Sequence, residues 1–296
     1  MRTCRGRLLA ENNGLRVIDC EVCGFAHLES GGAAEIEYMA GAFQDDTWFE
    51  KERQEHVAGL WDSCYEFQWR IMRQTEPFLD FGCGAGWFMW YVRRTSVPMP
   101  VECYGAEIAP IPHEYRPVNV KHLIYHPAAP EVNQRFPAVR LSLVLEHIET
   151  PRGFLLTHLE FWKPRRILII VPNEFNPLQR KVGGSWFVSH WHWNYFTPRS
   201  LTNLLARFGY RPTFQGASFP MELFILLGFD YRKDEELGKR CHLTRLRLEK
   251  RVGWRIFHVY SLLHRLLGWG REMIYLFEIE RKPIKIPSTR VPLALA

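Results

Sequence analysis

The stretch Phe78-Leu79-Asp80-Phe81-Gly82-Cys83-Gly84-Ala85-Gly86 decides the fold. Residues 77–81 are apolar apart from one acid and predict a short strand, and residues 87–94 predict a helix. The three glycines between them follow the pattern Gly-x-Gly-x-Gly, which lets the backbone bend tightly and approach a ligand closely. The N-terminus of the next helix presents free N–H groups to such a ligand. The stretch therefore predicts a strand, a ligand-binding turn and a helix.

The sequence that follows alternates strand and helix patterns. Further strands are predicted at 101–108, 139–145 and 167–171, and the last is a continuous run of β-branched and aliphatic residues, typical of a buried parallel strand. Thr150 with Pro151, and Thr197 with Pro198, are signals for helix starts. The rhythm from about 77 to 172 predicts an α/β fold with a doubly wound, mostly parallel sheet.

The remaining segments are predicted to flank this sheet. The 33–75 segment contains Trp61, Tyr65 and Trp69 at intervals of four residues, which favours a helical lid or cap. Basic helical stretches at 243–251 and 254–267 favour a mainly helical C-terminal extension. The predicted organisation is a Cys-containing knuckle at 1–32, a helical lid at 33–75, a ligand-binding domain at 76–225 and an extension at 226–296.

Composition excludes several classes of protein. The 296 residues are 47% hydrophobic and 24% charged, values that support a packed core and argue against global disorder. The formal charge is +6, but Lys and Arg are scattered among acids. We therefore expect a solvated basic surface that favours anionic substrates, and no nucleic-acid partner. A basic amphipathic helix that binds a membrane surface is a weaker alternative for the C-terminal third.

The expected location is the cytoplasm. No apolar run reaches the about 18 to 20 residues needed to span a bilayer. Met1–Ala10 lacks the apolar core of a signal peptide. The seven cysteines are odd in number and contain one close pair, Cys20 and Cys23, so they do not form a secreted disulfide framework.

The spacing of the glycines separates two classes of nucleotide cofactor. A nicotinamide-dinucleotide fingerprint would place its third glycine at the position of Trp87. Glu107 closes the second predicted strand 21 residues after Gly86, where an acid can accept hydrogen bonds from both hydroxyls of a ribose. Together these features resemble the first motifs of S-adenosylmethionine-dependent methyltransferases of the Rossmann-like class.

The resemblance covers residues 76–210 and implies a cofactor site. Leu145-Glu146-His147-Ile148 and the later 167–173 stretch resemble the segment after the fourth strand and the fifth strand of that family. The family often carries an acid before the fourth strand, and 137–140 has none. The residues expected to bind S-adenosylmethionine are Asp80, Gly82, Cys83, Gly84, Gly86, Glu107 and Ile108.

A histidine-containing loop supplies candidates for a catalytic base. His192-Trp193-Asn194-Tyr195-Phe196-Thr197 resembles the loop before a late helix in many small-molecule and sugar methyltransferases. Transfer to an alcohol requires that its proton be removed, and imidazole is a common base for this. His192 is the first candidate, with Glu146 and His147 behind it. The alternative for His192 is a buried histidine bonded to a carbonyl.

The N-terminal Cys20-x-x-Cys23 resembles half of a zinc ribbon, and similar methyltransferases carry a Cys-rich knuckle before the catalytic domain. Cys4 and His27 would complete a tetrahedral Cys₃His site for structural zinc. A second Cys-x-x-Cys pair beginning at Cys4 would have a cysteine at position 7, but Arg7 occupies it. The alternative is therefore a remnant knuckle without metal, held by packing.

The expected reaction is O-methylation of a sugar or natural-product intermediate, and the partner a small-molecule acceptor. The alternatives are C-methylation of a nucleotide-linked keto sugar, since the Cys-rich start resembles that group too, and a binding subunit without catalysis. Methylation of RNA is a weaker choice, because no tetrapeptide of the Asn-Pro-Pro-Tyr type is present. The acceptor itself stays undefined, because acceptor pockets are built from variable loops and terminal segments.

Overall fold

A computed structural model describes residues 4–29, 46–72, 77–96, 101–108, 111–117, 121–124 and 134–280. The predicted boundary at residue 32, the first part of the predicted lid and the end of the C-terminal extension lie outside these residues. The strands are β1 (Gly6–Asn12), β2 (Leu15–Cys20), β3 (Phe25–Leu28), β4 (Phe78–Phe81), β5 (Cys103–Glu107), β6 (Lys121–Ile124), β7 (Ala138–Ser142), β8 (Arg166–Pro172), β9 (Asn194–Tyr195), β10 (Tyr210–Ala217) and β11 (Glu272–Ile279).

The helices are α1 (Asp46–Val57), α2 (Asp62–Met72), α3 (Trp87–Thr95), α4 (Pro151–Trp162), α5 (Pro177–Val182), α6 (Pro198–Ala206), α7 (Glu222–Leu226), α8 (Glu235–Val252) and α9 (Ile256–Leu267). Two 3₁₀ turns lie at His113–Tyr115 and Leu145–His147. Proline occupies the first turn of α4, α5 and α6, where its missing N–H costs no helical hydrogen bond. No helix of the described residues is both long and apolar enough to cross a membrane.

The central sheet has the strand order β10-β11-β8-β7-β4-β5-β6. Strands β6, β5, β4, β7 and β8 pair in parallel, and β11 runs antiparallel to both β8 and β10. The predicted doubly wound, mostly parallel sheet is therefore confirmed. Its strand order reverses at β4, which has β5 on one side and β7 on the other. In open α/β sheets, ligands bind at the carboxyl ends of the strands beside such a reversal.

Apolar residues cover both faces of this sheet, as a doubly wound fold requires. Successive strand residues point to opposite faces, so Leu79 joins one buried cluster and Phe78 the other. The first cluster includes residues of α4 and α6, and the second includes residues of α2, α3 and α9. The predicted stripe of Trp61, Tyr65 and Trp69 packs against the second cluster.

The C-terminal segment contributes a strand as well as helices. The helical stretches predicted at 243–251 and 254–267 lie in α8 and α9. Strand β11 was not predicted, and it lies inside the sheet between β8 and β10 with five consecutive buried residues. Its neighbours are distant in the chain, so its pairing depends on tertiary structure rather than on local pattern.

The N-terminal knuckle is a small antiparallel sheet. Strands β1, β2 and β3 form a meander, and β9 extends it through the pairs Ala26–Tyr195 and His27–Asn194. Val17, Leu28 and Tyr195 belong to a separate apolar cluster beneath it. The knuckle therefore holds the chain that follows His192.

Candidate functional site

A cavity of about 560 Å³ opens at the carboxyl ends of β4, β5 and β7. One part of its lining, here called the glycine-turn end, consists of Gly82, Cys83, Gly84 and Glu107. A second part, here called the polar wall, consists of His147, Arg245, Glu249, Arg271 and Glu272. Residues of α1, α2 and the turn between them complete the enclosure, among them the aromatic rings of Trp61 in that turn and Tyr65 in α2.

The glycine turn has a backbone that requires glycine. Gly82 has a φ of +70°, and an added Cβ would lie 2.4 Å from Cγ2 of Val144. Gly84 has a φ of +53°, but an added Cβ would meet no protein atom within 4 Å. Gly82 therefore allows close packing within the protein, whereas Gly84 keeps its space open on the cavity. An open cradle of this kind fits a ligand that approaches the backbone.

Glu107 lies against the glycine turn. Its Oε2 accepts a hydrogen bond of 2.8 Å from the N–H of Gly84, and its Oε1 accepts one of 2.8 Å from the N–H of Ile108. A carboxylate has about four acceptor sites, so two backbone bonds do not exhaust it. The side chain is oriented before any ligand arrives, which suits the paired hydroxyls of a ribose.

The other residues expected to bind the cofactor support the turn. The Asp80 side chain is fully buried and does not line the cavity. Its Oδ1 accepts a hydrogen bond of 2.7 Å from Nη1 of Arg140, which does line the cavity. Burial raises the pKa of Asp80, and the charge of Arg140 opposes that rise. Gly86 precedes α3 with a φ of 94°, and Ile108 contributes its N–H to Glu107.

The three predicted candidates for the base lie together. The side chains of Glu146, His147 and His192 bring their nitrogen and carboxylate oxygen atoms within 4.8 Å of one another. We call this group the His–Glu cluster. His147 lines the cavity, whereas Glu146 and His192 are outside its lining. Glu146 is 1% exposed, and neither of its carboxylate oxygens has a hydrogen-bond partner among the described residues.

Each imidazole of the His–Glu cluster has a partner at Nδ1. The Nδ1 of His147 donates to the carbonyl oxygen of Trp191 at 2.6 Å, which is the carbonyl-bonded arrangement considered for His192. The Nδ1 of His192 lies 2.7 Å from Oε1 of Glu174, a carboxylate rather than a carbonyl. The two ring centroids are 5.1 Å apart.

Burial sets different protonation states within the His–Glu cluster. It raises the pKa of the Glu146 carboxyl to about 8 and lowers the pKa of His147 to about 4. Burial also opposes the charged form of His192, but the charge and hydrogen bond of Glu174 outweigh it and raise its pKa. The imidazole of His147, which lines the cavity, is therefore neutral, and the neighbouring imidazole of His192 is more basic.

Several residues of the site were not predicted from the sequence. Glu174 is the second residue after the end of β8, and a polar residue just after a buried strand is a signal that could have identified it. Arg245 and Glu249 lie one turn apart on α8, and their charged atoms are 3.9 Å apart. Burial raises the pKa of Glu249 to about 7. Their role follows from the packing of α8 on the sheet, which the local pattern did not show.

The four predicted metal ligands of the knuckle also lie together. The ligand atoms of Cys4, Cys20, Cys23 and His27 lie within 4.8 Å of one another. The Nδ1 of His27 donates to the carbonyl oxygen of Leu28 at 2.6 Å, and its buried Nε2 has no hydrogen-bond partner among the described residues. The N–H of Cys23 donates to Sγ of Cys20 at 3.4 Å. This donor set fits a tetrahedral ion.

Several solved structures are similar to this one. A chain of the complex between the Haloferax volcanii Trm112 methyltransferase activator and a protein assigned as a methyltransferase has a TM-score of 0.50 at 12% identity, covering 80% of this chain and 99% of that one. The plantazolicin methyltransferase BamL, solved with a triazolic desmethylPZN analog and SAH, gives 0.49 at 11%, covering 84% and 95%. A SAM-dependent methyltransferase from Archaeoglobus fulgidus gives 0.43 at 17%, covering 71% and 92%. At 12% identity, the likeness to the first of these is one of fold alone.

A comparison of sequences is more specific. No curated protein matches the chain. A family model described as a methyltransferase domain matches residues 52–213, which is more than half of the chain and spans the glycine turn, Glu107 and the His–Glu cluster. The chain therefore belongs to the methyltransferase-domain family and is an S-adenosylmethionine-dependent methyltransferase.

Proposed function

We propose that the enzyme O-methylates a sugar or a similarly polar small molecule of natural-product type. The observation that carries this proposal is the composition of one cavity, where the glycine-turn end shares an enclosure with charged side chains and aromatic rings. Carboxylates and guanidinium groups form strong, directional hydrogen bonds with hydroxyls, and aromatic faces pack on the apolar faces of sugar rings. The mixed signs of charge favour a polyhydroxylated acceptor over a purely apolar one.

The glycine-turn end holds the cofactor in this proposal. S-adenosylmethionine, when bound, supplies a methyl group on a sulfonium that needs no activation by the protein. Gly82 and Gly84 bring the backbone to the ligand, Cys83 lines the same surface, and Glu107 accepts hydrogen bonds from the ribose. Asp80 acts through Arg140, while Gly86 and Ile108 shape the turn.

The task of the protein is then to orient the acceptor and exclude water. The acceptor hydroxyl must lose its proton as the methyl group is transferred. Of the three candidates, His147 lines the cavity, so we assign His147 to the acceptor hydroxyl. His192, Glu146 and Glu174 act through it. In this proposal His147 therefore replaces His192 as the first candidate for the residue that acts on the acceptor hydroxyl.

Calorimetric titration of the purified protein with S-adenosylmethionine, and separately with NAD, tests the cofactor assignment. Micromolar binding of the former alone is expected. A panel of glycosides, nucleotide-linked sugars and hydroxylated natural products then tests the acceptor, with methylated products detected by mass spectrometry. The Glu249→Gln variant should raise KM for the acceptor and leave the affinity for S-adenosylmethionine unchanged. Methyl transfer to RNA or protein alone would contradict the proposal.

C-methylation of a nucleotide-linked keto sugar is the second candidate. The observation that favours it is the assembled cluster of Cys4, Cys20, Cys23 and His27, since the Cys-rich start resembles that group of methyltransferases. An acidic carbon of the acceptor would then lose a proton in the same cavity. Nuclear magnetic resonance of the product separates the candidates, because a new C–C bond and a methyl ether give different carbon shifts.

We also propose that this Cys₃His cluster binds structural zinc. The support is the buried Nε2 of His27, which lacks a hydrogen-bond partner among the described residues and lies among three thiol sulfurs. Elemental analysis should find about one zinc per chain. A Cys20→Ser variant should lose the metal and unfold at a lower temperature. An equal zinc content in the variant and the parent would contradict the assignment.

A further inference from the structure

The His–Glu cluster has the composition of a metal site. Its three members come from two separate segments, the 3₁₀ turn after β7 and the loop before β9. Two imidazole nitrogens and a carboxylate oxygen within 4.8 Å of one another form a two-histidine, one-carboxylate set. That set is typical of divalent first-row transition ions, whereas Mg²⁺ and Ca²⁺ prefer oxygen ligands alone.

Both histidines form a hydrogen bond through the same ring nitrogen, Nδ1. A carbonyl oxygen only accepts hydrogen bonds, so the bond to Trp191 places the proton of His147 on Nδ1. The Nδ1 of His192 is bonded to the Glu174 carboxylate. Histidines that bind metals commonly donate Nδ1–H to a carbonyl or a carboxylate, which orients the ring. Both rings of the cluster have this arrangement, so we infer that Nε2 is the ligand atom in each.

Glu146 supplies the independent observation. Its carboxylate is 99% buried, and neither oxygen has a hydrogen-bond partner among the described residues. A buried carboxylate without a partner is costly, and a bound cation removes that cost. Its Oε1 lies 3.9 Å from Nε2 of His147. Two ligands about 2.1 Å from one ion lie about 3 to 3.5 Å apart, so small side-chain rotations close the site.

We propose that Glu146, His147 and His192 bind one divalent first-row transition ion, such as Mn²⁺ or Zn²⁺, at the wall of the cavity. This inference rests on the proposed function and deepens it, because His147 lines the cavity that would hold the acceptor. With the ion bound, His147 acts on the acceptor hydroxyl as a ligand of the ion rather than as its base. Glu146 and His192 are the other two ligands, and Glu174 positions His192.

The ion acts as a Lewis acid on the acceptor. It coordinates the acceptor hydroxyl and increases its acidity, and the proton passes to solvent. The oxygen then forms its bond to the methyl carbon as the carbon–sulfur bond breaks, and sulfur keeps that electron pair. No oxidation or reduction takes place. Three protein ligands leave coordination positions open, so two adjacent oxygens of an acceptor could bind the ion together.

Titration with Mn²⁺, followed by electron paramagnetic resonance of the free ion, tests the site in the full-length protein. Mn²⁺ prefers oxygen and nitrogen ligands, so the thiols of the knuckle do not compete for it. We expect one bound ion per chain. The Glu146→Gln and His192→Ala variants should each weaken binding by about tenfold or more. His190→Ala removes a neighbouring exposed histidine and should bind Mn²⁺ as the parent does.

Failure of this inference is distinguishable from failure of the proposed function. The metal site is wrong if the parent binds S-adenosylmethionine but no Mn²⁺ at about millimolar concentration. It is also wrong if Glu146→Gln binds Mn²⁺ as tightly as the parent. In both cases the proposed methyl transfer to a polar acceptor still stands. Should Glu146→Gln not fold, Glu174→Gln tests the same site, because loss of the carboxylate behind His192 should weaken Mn²⁺ binding by about tenfold. Unchanged binding in that variant also overturns the proposal.

Discussion

The glycine-turn end and the polar wall of the cavity are built in opposite ways. The glycine-turn end comes from residues close in sequence, and both oxygens of Glu107 accept backbone hydrogen bonds. The polar wall and the His–Glu cluster next to it come from separate segments spread over residues 146–272. Buried oxygens there lack hydrogen-bond partners among the described residues, including both of Glu146 and Oε1 of Glu249.

This difference separates a prearranged site from one that needs its ligands. The glycine-turn end satisfies its polar groups within the protein, so it keeps its shape without a cofactor. Burying carboxylates without partners costs free energy unless a proton, a cation or a hydroxyl group joins them. The stability of the polar wall should therefore depend on pH and on bound ligands, and that of the glycine-turn end should not.

The largest expected effect on stability comes from breaking the buried ion pair between Arg140 and Asp80. The side chains of Arg140 and Asp80 are 7% and 0% exposed, with 2.7 Å between charged atoms. Arg140→Met leaves the Asp80 charge buried without its partner and should lower the free energy of unfolding by about 3 to 5 kcal/mol. Urea denaturation measures this change in the free energy of unfolding. The double variant with Asp80→Asn should recover part of the loss, and a single-variant loss below about 1 kcal/mol would contradict the buried pair.

Glu107→Gln acts on the glycine-turn end alone. The amide keeps the shape of the side chain but loses its charge and one acceptor oxygen, so about 1.5 to 3 kcal/mol of binding free energy is lost. The Kd for S-adenosylmethionine should rise by about 10- to 100-fold in calorimetric titration. Glu102→Gln changes an exposed acid at the other end of the strand and serves as the control. Equal affinity in both variants would rule out the proposed role of Glu107.

Glu249→Gln tests whether the stability of the polar wall depends on pH. Burial raises the pKa of Glu249 from 4.5 to about 7, so between these values the folded protein holds a proton that the unfolded chain has released. Stability is therefore lost as the pH rises through this window. The variant has no such loss and should be more stable than the parent by about 1 to 3 kcal/mol at pH 8, and nearly equal to it at pH 4.5.

Thermal and urea unfolding across pH 4.5 to about 8 measure this difference. Glu236→Gln on the same helix α8 is the control, because Glu236 is exposed. A gap between Glu249→Gln and the parent that stays constant with pH would show that Glu249 does not titrate in this window.

Gly84→Ala has the smallest expected effect on stability. Gly84 has a φ of +53° and Gly14 a φ of +78°, and an added Cβ meets no protein atom within 4 Å at either. Alanine should lower the free energy of unfolding by about 1 kcal/mol at both positions, because the backbone there is left-handed. Gly84→Ala alone should weaken binding of S-adenosylmethionine, since its Cβ enters the cavity. Equal cofactor affinity in the two variants would remove Gly84 from the proposed site.

Local pattern was sufficient for the strand, turn and helix around Gly82 and for the acid at Glu107. It failed where partners are distant. Strand β11 is surrounded by β8 and β10, and its own residues carry no signal of that pairing. The sequence also did not indicate that Asp80 would pair with Arg140, which lies on the neighbouring strand β7. The pattern of each strand shows which residues are buried and not which charge they meet.

The sequence by itself determined the parallel sheet, the glycine turn and the acid beside it, because backbone sterics and hydrophobic period act over a few residues. It also identified the histidines and cysteines with suitable chemistry. Only the tertiary structure decided that His147 lines the cavity, that Glu174 holds His192 and that α8 adds Glu249. Those contacts join segments far apart in the chain, and the packing of whole elements on the sheet determines their distances.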